Sequence, residues 1–365
     1  MVLTGKHSRS SPGSELRHIR QKRGTFVLNL LLFAVLVGSF RILGGRGILV
    51  YLAGLALICL LFRFFPLLKF RGIQIQSGAD WKKPVNDTLI YQVLMIGAFF
   101  MILPFYWMFF TSFKSFDEAM AFPPTWWPNE FHWQNWVEAW NAPKSNTYGD
   151  PPVPLTFTRY FYVSVTVGLV TTAGVLVTSA FAAYAFSKMR FFGRGLFFYI
   201  ILAMMMVPGQ VLLIPNYLTL AKLHWLDHYA ALIVPWLANV FTIFLMRQFF
   251  MTIPDDLWDS AQIDGAGRFR YLWQVMIPLS KPVLITAGIF AFLGNWNSLF
   301  WPLIVTTRPE MRTLMVGLQA FNQDAGAEFH LLMAASTFAV LPVVIMFFFL
   351  QRFFIQGIAR TGMKS

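Results

Sequence analysis

The sequence predicts an all-α integral membrane protein of about eight spans, and three observations carry that reading. Hydrophobic residues make up 57% of the 365-residue chain and charged residues only 12%, less charge than a soluble domain of this size carries. The apolar residues come in long blocks, and about 20 such residues cross the hydrocarbon core of a bilayer as a helix. The basic residues are divided unevenly between the segments that join those blocks.

Residues 1–24 are basic and serine-rich and run into apolar sequence, as a signal peptide does. No small-residue cleavage site precedes the next apolar block, so an uncleaved anchor is expected. The first block, 25–40, is short for a full span. The linker after it carries Arg41 and Arg46 and joins it to a second block, 48–68, as a tight hairpin. Cys59, the single cysteine, lies in that second block, so no intrachain disulfide can form. A polar linker ending in Trp81-Lys82-Lys83-Pro84 closes residues 1–85, a basic tail and hairpin that read as an addition to the rest of the chain.

Six more blocks lie at 89–111, 160–187, 195–215, 229–248, 283–306 and 331–351. With both ends in the cytoplasm, 21 of the 29 Lys and Arg residues fall on the inner segments 1–24, 63–88, 188–194, 247–281 and 352–365; the outer segments hold 8. That bias satisfies the positive-inside rule and places 247–281 inside the cell. The net charge of +13 is therefore a statement about topology. Basic residues scattered over five segments do not make a nucleic-acid surface.

The polar stretch 252–281 is too ordered in pattern for a plain connector. Thr252 is the expected N-cap of a short helix, with Pro254 in the first turn and Asp255 three residues on. That helix is predicted to reach Asp264 and stop at Gly265, which can take the left-handed conformation of a C-cap. A second helix is expected to end ahead of Pro278. Two short helices joined by a glycine elbow make a protruding knob.

Asp259-Ser260-Ala261, then Gly265, Val275 and Ile277-Pro278 reproduce the spacing of the Glu-Ala-Ala loop of binding-protein-dependent ABC importers. Asp, Ser, Val and Ile replace Glu, Ala, Ile and Leu, and the Asp is one methylene shorter than the Glu. Residues 104–131, 204–220, 292–305 and 350–365 are also similar to segments of sugar-importer permeases, of the smaller, maltose-type second subunit. The resemblance covers nearly all of residues 86–365. It implies a six-span type I ABC importer permease core (about 158–352) with coupling loop 252–281, the 1–85 hairpin being extra. It further implies a second permease subunit, two ATPase subunits and an extracytoplasmic binding protein as partners, in a bacterial inner membrane with both termini cytoplasmic. The coupling residues it implies are Asp259, Ser260, Ala261, Asp264, Gly265, Ala266, Ile277 and Pro278, the last two at the join with the spans.

The chemistry of the residues fits that picture. No Asp, Glu, Lys or Arg lies well inside the six core blocks, whereas ion-coupled carriers need such groups. No GxxxxGK[ST] loop is present, so no cofactor is expected on this chain and ATP is expected on a partner. Small residues at 260, 261 and 265–267 permit close approach to a groove. The competing reading is an amphipathic helix lying in the headgroups; Asp255, Asp256, Asp259 and Asp264 oppose it. A membrane enzyme needs a carboxylate cluster at a membrane face, and Asp255 with Asp256 is the one acidic pair on offer.

Three further clusters carry two readings each. His224 and His228 in HWLDH are four apart like metal ligands but have only Asp227 near them, which favours an interfacial loop. The other histidines, at 7, 18, 132 and 330, are scattered. Trp126, Trp127, Trp133, Trp136 and Trp140 on outer loop 112–159 suit an interfacial belt in contact with membrane lipid more than a sugar platform. Asn295, Trp296, Asn297 and Trp301 are either helix–helix glue or the lining of a sugar path. Met204 to Met206 with Pro208 and Gly209 predict a broken helix.

Overall fold

A computed structural model describes residues 82–141, 157–321 and 328–362; for 82–89, 320 and 352–362 it describes the backbone alone. The expected basic tail and apolar hairpin lie outside the described residues. The chain parts into two compact units, Met1–Tyr106 and Trp107–Ser365, each described by itself.

All regular elements among the described residues are helical, as block length and hydropathy require. Helix α1 (Lys82–Thr111) begins with Pro84 in its first turn, where no amide hydrogen is needed. Two short helices come after it, α2 (Phe116–Met120), capped by the Ser115 hydroxyl, and α3 (Gln134–Asn141). Helix α4 (Phe157–Lys188) has 32 residues, about 48 Å at 1.5 Å per residue, and is the hub of the second unit. It packs most extensively on α8 and α12. At Gly168 a Cβ would lie 2.9 Å from the Phe292 ring of α12, so a side chain there would displace that ring.

Three of the remaining core spans are bent. Helices α5 (Arg194–Met204) and α6 (Leu213–Lys222, entered through a 3₁₀ turn from Gly209) meet at 89°. The break falls at the Met-Met-Val-Pro stretch, as the sequence anticipates. Helix α7 (Tyr229–Ile233) and its 3₁₀ extension through Trp236 turn 43° into α8 (Val240–Phe250), whose first turn is capped by the Asn239 side chain accepting from the Thr242 amide at 2.9 Å. Helices α9 (Asp256–Ile263), α10 (Arg268–Tyr271) and α11 (Ile277–Leu279) form the knob, and an 83° elbow leads into α12 (Lys281–Trp296).

Block 283–306 was expected as one span, but the helix ends at Asn297 and restarts as α13 (Phe300–Val305). Asn297 and Ser298 close the first helix by donating their amides to Leu293 and Asn295. Helix α14 (Leu314–Ala320) and α15 (Phe329–Gly362) complete the chain. Among the described residues three helices are long and apolar enough to cross a membrane, and up to six spans result if each bent pair counts as one. That agrees with the six expected core spans.

Candidate coupling site

The knob grows directly from the end of α8. Thr252 does not cap its first helix. Its hydroxyl donates back to the Phe249 carbonyl at 2.7 Å, satisfying the C-terminus of α8 instead. The chain then turns through buried Ile253 and exposed Pro254, and Asp255 becomes the N-cap residue, its carbonyl receiving the Trp258 amide at 2.8 Å. Asp256 and Asp259 occupy the first turn, where the helix dipole favours negative charge.

The end of α9 is a Schellman motif. The Gly265 amide donates to Gln262 at 3.0 Å, the Ala266 amide reaches back to Ala261 at 2.8 Å, and Gly265 has φ +73°. The motif explains the small residues on either side of the glycine. Ala261 is buried and Ala266 half-buried, and both belong to the cluster on which the knob is seated. A Cβ at Gly265 would meet nothing within 4 Å, so glycine is needed there for its backbone freedom alone.

The second half of the knob departs from expectation. The helix does not stop ahead of Pro278. After Tyr271 it widens into a π-helical turn, Leu272–Met276, and passes through Pro278 to Leu279. Proline lacks an amide hydrogen and its ring crowds the carbonyl four residues back; a π turn relieves both problems without ending the helix. The true break is Ser280, whose amide bonds Met276 and Ile277 at 3.0 and 3.1 Å.

Apolar contacts fasten the knob to the spans. Ala180, Ala183 and Tyr184 of α4 and Met246 and Phe250 of α8 enclose Ala261, Tyr271, Leu272 and Met276, with Ile277 packed at the margin. Trp258 meets Tyr271 edge-on at 5.1 Å, and Arg268 lies over the Trp258 ring. Lys188 at the end of α4 adds a polar strap, donating to the Ile253 carbonyl at 2.5 Å and to the Asp255 carboxylate at 2.6 Å. That hydrogen bond, with the lysine's charge, holds the Asp255 carboxyl below the usual range.

The sequence-expected coupling residues thus divide into seat and face. Ala261, Ala266 and Ile277 belong to the seat; Asp259, Ser260, Asp264, Gly265 and Pro278 are exposed. Sequence reasoning missed Ile263, which is 87% exposed. It shares one stripe with Asp256 and Asp259 at i, i+3, i+7 spacing, a signal that was there to be read.

The polar cluster in and beyond α12 is placed differently. The Trp296 indole is buried and donates to the Ala339 carbonyl at 3.1 Å, and the Trp301 indole is buried and donates to Ala231 at 2.9 Å. Asn295 bonds its own helix at Ala291, and Asn297 is exposed. The two indoles therefore act as glue between helices, and Asn297 alone of the four stays open.

On the other end of the bundle, Asp227 clamps the chain after α13. Its carboxylate accepts from the amides of Thr307 (2.6 Å) and Arg308 (2.8 Å) and from the Thr307 hydroxyl. Burial raises the Asp227 pKa, but those hydrogen bonds outweigh it and the net shift is downward. With Asp227 so engaged, the HWLDH segment is a loop lock. No group of three metal-ligating side chains occurs among the described residues.

Apolar helices of span length, several of them bent around a hub, with a polar knob packed against two of them, have the form of a transmembrane subunit. The chain belongs to the family described as binding-protein-dependent transport system inner membrane component, which it matches over residues 161–360. It is 33% identical to the sn-glycerol-3-phosphate transport system permease protein UgpE of Yersinia pestis over 276 residues, 74% of this chain and 95% of that one. It is 36% identical to the arabinooligosaccharides transport system permease protein AraQ of Bacillus subtilis over 207 residues, 57% of this chain and 74% of that one. The fold matches, with a TM-score of 0.65 and 23% identity, a chain in the crystal structure of a bacterial ABC transporter that imports the acidic polysaccharide alginate, over 77% of this chain and 99% of that one. The chain is accordingly a multi-pass inner-membrane transport subunit of an ABC importer, whose family works with an ATPase and a substrate-binding protein.

Proposed function

We propose that this subunit moves a sugar or related polyol into the cell, paired with a second permease and coupled through residues 252–281 to two ATPase subunits that bind the ATP. The relatives named for glycerol phosphate, arabinooligosaccharides and alginate support a polyhydroxylated substrate. The basic-residue bias supports cytoplasmic termini, with the knob inside and Asp227 outside.

One observation carries the mechanism: the knob has an apolar seat on α4 and α8 and is covalently continuous with α12. A loop that is rigid against three spans transmits displacement, whereas a floppy one absorbs it, and coupling needs two discrete arrangements linked by such a body. In this reading the exposed stripe of Asp256, Asp259 and apolar Ile263 enters the ATPase groove. Closure of the ATPase pair moves the knob and re-tilts α12 between inward- and outward-facing states. A substrate arriving from the binding protein meets the bundle from the Asp227 side.

The test is uptake of labelled glycerol 3-phosphate and of arabinooligosaccharides in cells expressing the complete transport system, with and without the binding protein. ATP-dependent accumulation of one of them that needs the binding protein is the expected result. Accumulation that persists without ATP and follows the proton gradient would instead assign an ion-coupled carrier.

A further inference from the structure

The segment between α1 and α3 is built the opposite way from the knob. Lys114 is buried, donates to the Thr125 carbonyl and lies 4.4 Å from the Trp107 ring. Burial lowers its pKa, and the Glu118 charge offsets part of that. Glu118 in turn accepts from the Thr125 hydroxyl at 2.9 Å and the Asn129 amide at 3.0 Å. The Asn135 amide donates to the carbonyls of Ser112 and Lys114, and the Trp136 indole donates to the Ser112 hydroxyl. Polar groups therefore fill the inside of this loop and fix its backbone.

Its outside carries a run of aromatic rings anchored on half-buried Phe110 and buried Phe113. Phe110 touches Trp127 (4.4 Å between ring centroids), Trp127 touches Phe131 (5.6 Å), Phe131 stacks with Trp133 (6.2 Å), and Trp133 returns to Phe113 (4.8 Å). Trp127, Phe131 and Trp133 are exposed, Trp133 by 67%. Trp126 likewise folds onto Trp107. Through Phe110 the patch lies beside the last turn of α1, the end of a span-length apolar helix, where the headgroup region of a bilayer would fall. Indoles are favoured there because one end is apolar and the other wet.

We propose that residues 112–133 form a lipid-seated foot: the Trp127–Phe131–Trp133 face lies in the headgroup region of the outer leaflet, held flat by the Lys114–Thr125–Glu118 frame beneath it. The occupant is the bilayer itself, on three grounds. The patch adjoins the last turn of a span-length apolar helix, its exposed members Trp127, Phe131 and Trp133 are all aromatic with Glu130 as the charged residue beside them, and Lys114 of its frame is buried beneath. Naming the leaflet as outer rests on the orientation proposed for the importer; the lipid contact does not.

The full-length chain, reconstituted with its transport partners in vesicles of phosphatidylethanolamine and phosphatidylglycerol, provides the test. A nitroxide is attached at Trp133→Cys in a Cys59→Ser background, with Asp117→Cys as an exposed control. At 133 oxygen collisions should exceed those of a water-soluble nickel chelate, and at 117 the order should reverse. Wild-type tryptophan fluorescence should also be quenched by brominated lipid, with part of that quenching lost in Trp133→Phe. Nickel access at 133 overturns the proposal. So does protection that arises only when the binding protein or the second permease is added, which would assign the face to that partner. Binding-protein-stimulated ATP hydrolysis in the same vesicles separates failure of the foot from failure of the importer reading.

Discussion

The two ordered loops of this subunit are fastened by opposite means. The knob at 252–281 is seated through apolar side chains and turns carboxylates outward. The loop at 112–133 is pinned through a buried lysine, a glutamate and backbone carbonyls, and turns aromatic rings outward. The knob is thus held from within by apolar packing, and the 112–133 loop by hydrogen bonds from polar side chains. The outward chemistry then indicates the neighbour: charged groups suit a protein groove reached through water, and bare rings suit a lipid boundary.

The sharpest way to break that comparison is at the elbow of the knob. Gly265→Pro fixes φ near −65° where +73° is required and removes the amide that bonds Gln262. The subunit is expected to insert normally, lose co-purification with its ATPase and lose uptake by at least about tenfold, the equivalent of 1.4 kcal/mol in coupling. Gly265→Ala meets no steric obstacle, so its cost is the left-handed backbone alone, about 1 kcal/mol. It should give partial loss in both assays.

Next in size is the exposed stripe. Asp259→Lys reverses charge without touching the seat, so membrane insertion and thermal stability should stay unchanged while ATPase retention falls. Equal retention would show that the outward carboxylates are not the recognition surface. On the other loop, Lys114→Met removes the pillar from a buried site and leaves the Thr125 carbonyl without its donor. Such losses cost about 1–3 kcal/mol, visible as increased proteolysis of 112–133 with little change in ATPase retention.

The smallest effect concerns pH. The folded Asp255 carboxyl lies below its ordinary value because of Lys188. Its contribution is therefore present above that ordinary value and is lost as pH falls through the folded one. The carboxylate is 81% exposed, so the pair contributes under about 1 kcal/mol. Asp255→Asn should shift the melting temperature of the detergent-solubilised subunit slightly at pH 7, and that shift should shrink as pH falls below the carboxyl's ordinary range. A large shift at pH 7 would mean that the strap, and not the apolar cluster, holds the knob.

Local requirements were legible in the sequence, and competition between neighbours was not. Gly265 could be read because a left-handed C-cap leaves few alternatives to glycine, and the broken helix before Gly209 because proline cannot donate. Thr252 misled because its hydroxyl has two candidate uses a turn apart, and the end of α8 takes it first. Pro278 misled because a π turn accommodates a proline that an α turn would reject. Trp296 and Trp301 were ambiguous because their partners, Ala339 and Ala231, lie 43 and 70 residues away. The five outer tryptophans divide for the same reason: Trp136 and Trp140 turn inward onto Phe338, which no local pattern announces.

The 83° elbow at Ser280 makes the knob and α12 a crank on one shaft. Helix α12 has 16 residues, about 24 Å of axis at 1.5 Å per residue. A swing of about 10° around Ser280 therefore carries its far end roughly 4 Å sideways by that same geometry. In the proposed mechanism such a swing exceeds the reach of the Trp296–Ala339 hydrogen bond and would carry Asn297, the exposed amide of its group, to a new neighbour. A small movement of the knob would then be read out as a change of partners at the far end of α12, with no hinge needed inside the helix itself.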